Sequence, residues 1–213
     1  MTDSSRFRLG ILGSGKGSNM AAIADACQSG EVPAEIAIVA SDVASSGILE
    51  KARSRGLPAV HVAPGNFRTK LADEAEAQYV RVLRDAGVNL VVLAGFMRIL
   101  RGEFLRHFPL RVINVHPSLL PAFPGLEAWK QALDYGVKVT GCTVHFLDLG
   151  VDTGPIIAQQ TVPVEIGDTP ATLHDRIQQA ERKLYPRTIA ALAREEIQVQ
   201  GRQTLWPRHH SPS

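Results

Sequence analysis

The sequence predicts a doubly wound α/β fold: a mostly parallel sheet with an antiparallel C-terminal strand pair and a long C-terminal helix. Three observations carry this prediction. Short apolar runs alternate with helix-compatible stretches through the first half, and a glycine-rich turn joins the first run to the first helix. The run Asn89 to Ala94 (NLVVLA) has no polar alternation, as suits a central parallel strand covered on both faces.

Phe7 to Gly13 reads as the first strand, the segment from Ser14 to Asn19 as its turn, and Met20 to about Cys27 as the first helix. Strands follow at Ala34 to Ala40 and Ala59 to Val62, with a helix from Ile48 to Arg55 between them and a longer one from about Thr69 to Ala86 after them. This half is Rossmann-like in outline. Beyond a strand at Arg111 to Val115, the stretch His116 to Gly125 (HPSLLPAFPG) is too rich in proline for helix or ladder and is expected to be an ordered loop. Lys138 to Phe146 and Pro155 to Val164 read as antiparallel partners across a turn from Asp148 to Gly154. Thr169 as N-cap and Pro170 at the first helical position open a long helix with an apolar stripe at Leu173, Ile177, Ala180, Leu184 and Ala191, and with a kink expected at Pro186. One domain over residues 1–200 and a poorly ordered tail over 201–213 are expected.

Composition narrows the function. In 213 residues, 23 Lys and Arg face 21 Asp and Glu, and no basic run occurs, so nucleic-acid binding has no support from charge. The two cysteines, Cys27 and Cys142, make neither a disulfide framework nor a metal-ligand spacing. No metal is expected. A reducing, cytoplasmic setting fits, as does the absence of a signal-like N-terminus or a membrane-length apolar run.

A glycine turn feeding a helix N-terminus presents N–H groups to an anion such as phosphate. Gly10 to Lys16 matches the start of a Walker A loop, but Gly17 stands where Ser or Thr should hold magnesium, and GxGxxG spacing is also missing. What remains is a phosphate nest at Gly17, Ser18 and Asn19, or glycines that only permit the turn. Asn114 and His116, two apart at a strand end, would point the same way into a crevice at the sheet's carboxyl end, although a satisfied structural histidine is an open alternative. Asp152 sits in the turn LGVDTGP as either a turn former or a partner of His116. In the second case its carboxylate would favour imidazolium, and Asn114 could stabilise an oxyanion beside it.

Four ordered segments carry a resemblance. SGKGSN from Ser14, LAGFMRIL from Leu93, NVHPSLLP from Asn114 and VDTGPII from Val151 are together similar to the phosphoribosylglycinamide formyltransferase family, over most of the chain. The resemblance implies a formyltransferase fold and transfer of the formyl group of 10-formyltetrahydrofolate, as co-substrate, to the amine of phosphoribosylglycinamide in purine biosynthesis. It implies that Gly17, Ser18 and Asn19 hold the substrate phosphate, that Asn114, His116 and Asp152 are catalytic, and that Glu181 accepts hydrogen bonds from the substrate amine. Glu181 could otherwise be a solvated helix charge. Met97, Arg98, Ile99 and Leu100, with Leu147, Asp148, Gly150 and Val151, correspond to the folate pocket, and Lys70 to a basic residue near the folate tail. Glu127 stands where some relatives carry a histidine. The implied partners are small molecules, without nucleic acid or membrane, for a monomer or homodimer. Formyltetrahydrofolate hydrolase and methionyl-tRNA formyltransferase share the trio; chain length favours the glycinamide reading over both, and near-neutral charge disfavours a tRNA acceptor. A non-catalytic anion-binding module is the alternative of a different class.

Overall fold

The computed structural model describes residues 6–206. The element order is β1 (Phe7–Leu12), α1 (Ser18–Ser29), β2 (Ala34–Ser41), α2 (Gly47–Ser54), β3 (Ala59–His61), α3 (Asp73–Asp85), β4 (Leu90–Leu93), α4 (Gly102–His107), β5 (Val112–His116), α5 (Ala128–Tyr135), β6 (Val139–Phe146), β7 (Ile156–Pro163), α6 (Pro170–Ala193), β8 (Gln198–Gln200) and β9 (Gln203–Leu205). Seven strands form one sheet in the order β3-β2-β1-β4-β5-β6-β7, and β8 and β9 form a separate ribbon. The α/β class, the antiparallel β6–β7 pair and the long last helix are as the sequence predicts. The chain divides into two compact units between Ile113 and Asn114, within β5, where the sequence led us to expect one domain over residues 1–200.

In the first unit, β1 pairs in parallel with β2 on one side and β4 on the other, and β2 pairs with β3. The chain therefore runs outward from β1 to β3 and then crosses back to the far side of β1. The carboxyl ends of β1 and β4 form a topological switch point, where doubly wound sheets open to ligands. Leu9, Ile11, Leu12, Val39, Val91 and Val92 are fully buried in this part of the sheet, which explains the unbroken apolar runs.

Helix α3 starts at Asp73 rather than Thr69. The intervening residues are drawn into an extended contact: Ile99 N–H donates to Thr69 O at 2.9 Å, and Lys70 bridges to Ile99. Asp73, Glu74 and Glu76 then complement the positive end of the helix. Helices α4 and α5 were not anticipated, because six and eight residues hold too few turns for a periodic signal.

In the second unit, β6 and β7 pair from Val139↔Pro163 to His145↔Ile156. Thr169 caps α6 as expected, and its Oγ1 accepts the Thr172 N–H while Thr172 Oγ1 accepts the Thr169 N–H. The helix continues through Pro186. The expected loose tail needs correction over its first residues. Gly201, at φ 61°, and Arg202 turn a hairpin between β8 and β9, with Gln200 paired to Gln203. Residues 207–213 of that expected tail lie outside the described residues.

Candidate active site

The glycine turn sits at the end of β1, at the switch point. Gly17 is the N-cap of α1 in left-handed conformation (φ 74°), and a Cβ there would lie 2.6 Å from Ile48 Cα. Glycine is therefore required on two counts. Because α1 begins at Ser18 rather than Met20, Ser18 and Asn19 occupy its first turn, where N–H groups have no carbonyl one turn behind them. The turn is braced from α2: Ile48 N–H donates to Gly15 O at 3.0 Å, and the Lys51 ammonium donates to Lys16 O at 2.9 Å.

The segment after β4 is fixed to the same turn. Ser14 N–H donates to Gly95 O at 3.0 Å, and Met97 N–H donates to Ser14 Oγ at 2.9 Å. Met97 and Ile99 are exposed, at 61% and 53%, whereas Leu100 is buried. Arg98 is committed internally: Nε donates to Asp42 at 2.7 Å, and Nη1 donates to the carbonyls of Phe67 and Arg68 at 2.7 and 2.6 Å. Its guanidinium holds this wall together, and the surface left to a ligand is backbone and apolar side chain. The Lys70 ammonium lies 4.3 Å from the centre of the Phe67 ring. A cavity of about 1000 Å³ in this unit is lined by α3 and α4 side chains, among them Glu76, Arg84 and Arg101, and includes none of the residues assigned from the sequence.

In the second unit β5 delivers Asn114 and His116, which share a face of the strand. His116 is buried. Its Nδ1 lies 3.3 Å from Asp152 Oδ2, and its Nε2 is 2.9 Å from Phe123 O. The proline loop that orients it contains a cis Leu120–Pro121 peptide and is braced from β6 and β7: Thr143 Oγ1 donates to Ser118 O, Leu120 N–H donates to Thr143 Oγ1, and Gln159 donates to Leu120 O. Ser118 Oγ donates to Ala122 O at 2.5 Å, so this hydroxyl is not presented as a nucleophile.

Asp152 adopts φ 55°, a left-handed conformation that aspartate tolerates better than most residues, and its Oδ2 accepts the Gly125 N–H at 2.9 Å. Gly154 makes the bend possible, since a Cβ there would meet Phe146 O at 1.8 Å. Asp148 accepts Gly150 N–H and Thr153 Oγ1–H, which folds the loop on itself and leaves Leu149 and Val151 exposed. Glu127, at φ 52°, is the exposed N-cap of α5.

His145 is a fourth member that the sequence reading missed. It stands on β6, buried, with Nε2 3.4 Å from Asn114 Nδ2 and 3.7 Å from Asp152 Oδ1, and with Nδ1 2.9 Å from Phe146 O. Burial pushes its pKa below the ordinary imidazole value, so the ring is neutral. Nδ1–H then donates to Phe146 O, and the Nε2 lone pair accepts an Asn114 N–H, which sets the orientation of that amide. The signal available in the sequence was one imidazole inside an otherwise apolar strand end.

Glu181 is buried on α6, which rules out the solvated alternative. Burial, reinforced by the field of Glu181, pushes the Cys142 thiol up to about 12, and burial pushes Cys27 up to about 11. Among the described residues no group of His, Cys, Asp and Glu is placed to hold a metal ion, and no helix is long and apolar enough to cross a membrane.

In this doubly wound fold a half-buried amide and carboxylate are grouped about a buried imidazole, and the Ser118 hydroxyl beside them is spent on a main-chain carbonyl. The chain belongs to the formyl transferase family, whose pattern matches residues 7–189. It is 44% identical over 206 residues to a phosphoribosylglycinamide formyltransferase of Mycobacterium tuberculosis, covering 94% of this chain and 92% of that one. It is 45% identical over 195 residues to the trifunctional purine biosynthetic protein adenosine-3 of Drosophila pseudoobscura, covering 91% of this chain but only 14% of the larger protein. The structure of glycinamide ribonucleotide transformylase 1 from Symbiobacterium toebii superposes with a TM-score of 0.91 at 47% identity, covering 95% of each chain.

Proposed function

We propose that the chain transfers the formyl group of 10-formyltetrahydrofolate to the amine of 5′-phosphoribosylglycinamide, in the cytoplasm, as a step of purine biosynthesis. The observation that carries this reading is the His116–Asp152 pair at 3.3 Å, with Asn114 two residues away on β5 and held by His145, in a family of formyl transferases whose full-length relatives are named for this reaction.

In this scheme the uncharged amine attacks the formyl carbon. Asn114 donates an N–H to the developing oxyanion while its other N–H remains on His145. The His116 ring proton, shared with Asp152 across 3.3 Å, is the one available to the same oxygen as its charge grows. Asp152 receives the proton that the amine loses, and collapse of the tetrahedral species breaks the carbon–N10 bond. That proton ends on N10, leaving tetrahydrofolate and the N-formyl product. Gly17, Ser18 and Asn19 cradle the substrate phosphate, and Glu181 accepts from the substrate amine. Backbone groups at Met97 to Leu100 and at Leu147 to Val151 read the pterin, with Lys70 toward the folate tail. No metal takes part, and the working form is a monomer or homodimer.

The test is an absorbance assay of purified protein with 10-formyltetrahydrofolate, with and without glycinamide ribonucleotide. Acceptor-dependent release of tetrahydrofolate is expected. Equal release without acceptor would replace the transferase reading with a hydrolase.

A further inference from the structure

The loop that carries Asp152 is followed immediately by β7, an edge strand of the sheet. Along this junction, three side chains of the C-terminal hairpin donate to main-chain carbonyls between residues 153 and 157. Arg202 Nη2 donates to Thr153 O, Thr204 Oγ1 to Ile156 O and Trp206 Nε1 to Ile157 O, each at 2.8 Å. Thr204 and Trp206, two apart along extended chain, face β7 together, while Arg202 reaches the loop from the hairpin turn. The hairpin lies beyond residues 7–189, the stretch that the family pattern matches.

We infer that this hairpin is a positioning clamp for Asp152, with Arg202 as its key positioning residue, an inference that rests on the formyl-transfer reading. Asp152 occupies a left-handed conformation that a non-glycine residue leaves readily unless its surroundings hold it. On one side it is held through its own carboxylate, by Gly125 N–H and His116. On the other, the first fixed main-chain group after it is the carbonyl of Thr153, and Arg202 is what fixes it. Thr204 and Trp206 anchor the hairpin to β7, so Arg202 reaches the loop from a rigid base. Merely covering an edge strand would need the two anchors and not the arginine.

The distinguishing variant is Arg202→Met in the full chain, which keeps both anchors and changes an exposed side chain. The expected results are a kcat reduced about three- to tenfold with KM for glycinamide ribonucleotide within about twofold, faster hydrogen exchange at the amides of 150–154, and partial recovery of both in Arg202→Lys. Trp206→Phe, which removes the N–H and leaves a smaller aromatic ring, is expected to move exchange in the same direction. Wild-type kcat and wild-type exchange in Arg202→Met would overturn the clamp. Absence of transfer by the unmodified protein would instead overturn the function reading, and the exchange measurement would still decide whether the hairpin holds the loop.

Discussion

The glycine turn of the first unit and the polar cluster of the second are built from opposite materials. The turn presents main-chain N–H groups, and its conformation is enforced by the absence of a Cβ at Gly17 and by neighbours from α2. The cluster consists of side-chain atoms of Asn114, His116, His145 and Asp152, drawn from three separate segments and brought within 3.3 to 3.7 Å of one another. A main-chain site fails through shape and is indifferent to pH, whereas a side-chain site fails through chemistry and responds to protonation.

The contrast is sharpest at His116. His116→Ala is expected to lower turnover by ~10²–10³, the usual cost of losing one oxyanion donor, with KM for the ribonucleotide nearly unchanged. Wild-type turnover in that variant would remove the imidazole from the chemistry. Gly17→Ala is the corresponding lesion in the turn. The left-handed conformation costs about 1–2 kcal/mol for a residue with a Cβ, and the contact with Ile48 adds overpacking of similar size. The expected signature is a lower urea midpoint and a raised KM for the phosphorylated acceptor, and a variant with both unchanged would mean the turn has no such constraint.

Arg98→Met tests whether the wall beside the turn is held as tightly. The Asp42 side chain is 2% exposed and would keep a buried charge without its partner, at a cost of about 3 kcal/mol in chemical denaturation. The smallest effect belongs to His145. Its folded pKa lies below the ordinary 6.5, so as pH falls through 6.5 the unfolded chain binds a proton that the folded chain does not. The stability contributed is full above that value and declines as pH falls toward the folded pKa. Urea midpoints at about pH 7.5 and pH 5.5 should therefore converge in His145→Gln relative to the unmodified protein. An identical acid slope in both proteins would show that the neutral ring is not what sets it.

The same division separates what could be read from the sequence from what could not. Gly17, the Asn114-x-His116 pair and the Asp152 turn announce themselves locally, because a left-handed glycine, a strand alternation and a proline-locked loop each leave a mark within a few residues. His145 leaves none: its meaning comes from the register of β6, which sets its ring beside Asn114. Nothing near Arg98 in sequence marks Asp42, 56 residues away, as the partner of its guanidinium. Helices α4 and α5 hold too few turns for their period to repeat visibly, and β8 and β9 are three-residue strands of mostly polar side chains. Long-range pairing, which no window of sequence contains, accounts for these omissions.

The raised thiols have a practical consequence for labelling chemistry. Burial raises both thiols well above the ordinary thiol range, so little thiolate is present at either position near neutral pH. These are the only two cysteines in the chain, so maleimides and iodoacetamides should leave the native protein nearly untouched. A cysteine introduced at Leu149, which is 82% exposed on the loop before Asp152, would then be the one thiol that reacts quickly, and a fluorophore attached there would report the motion of that loop against an otherwise silent background.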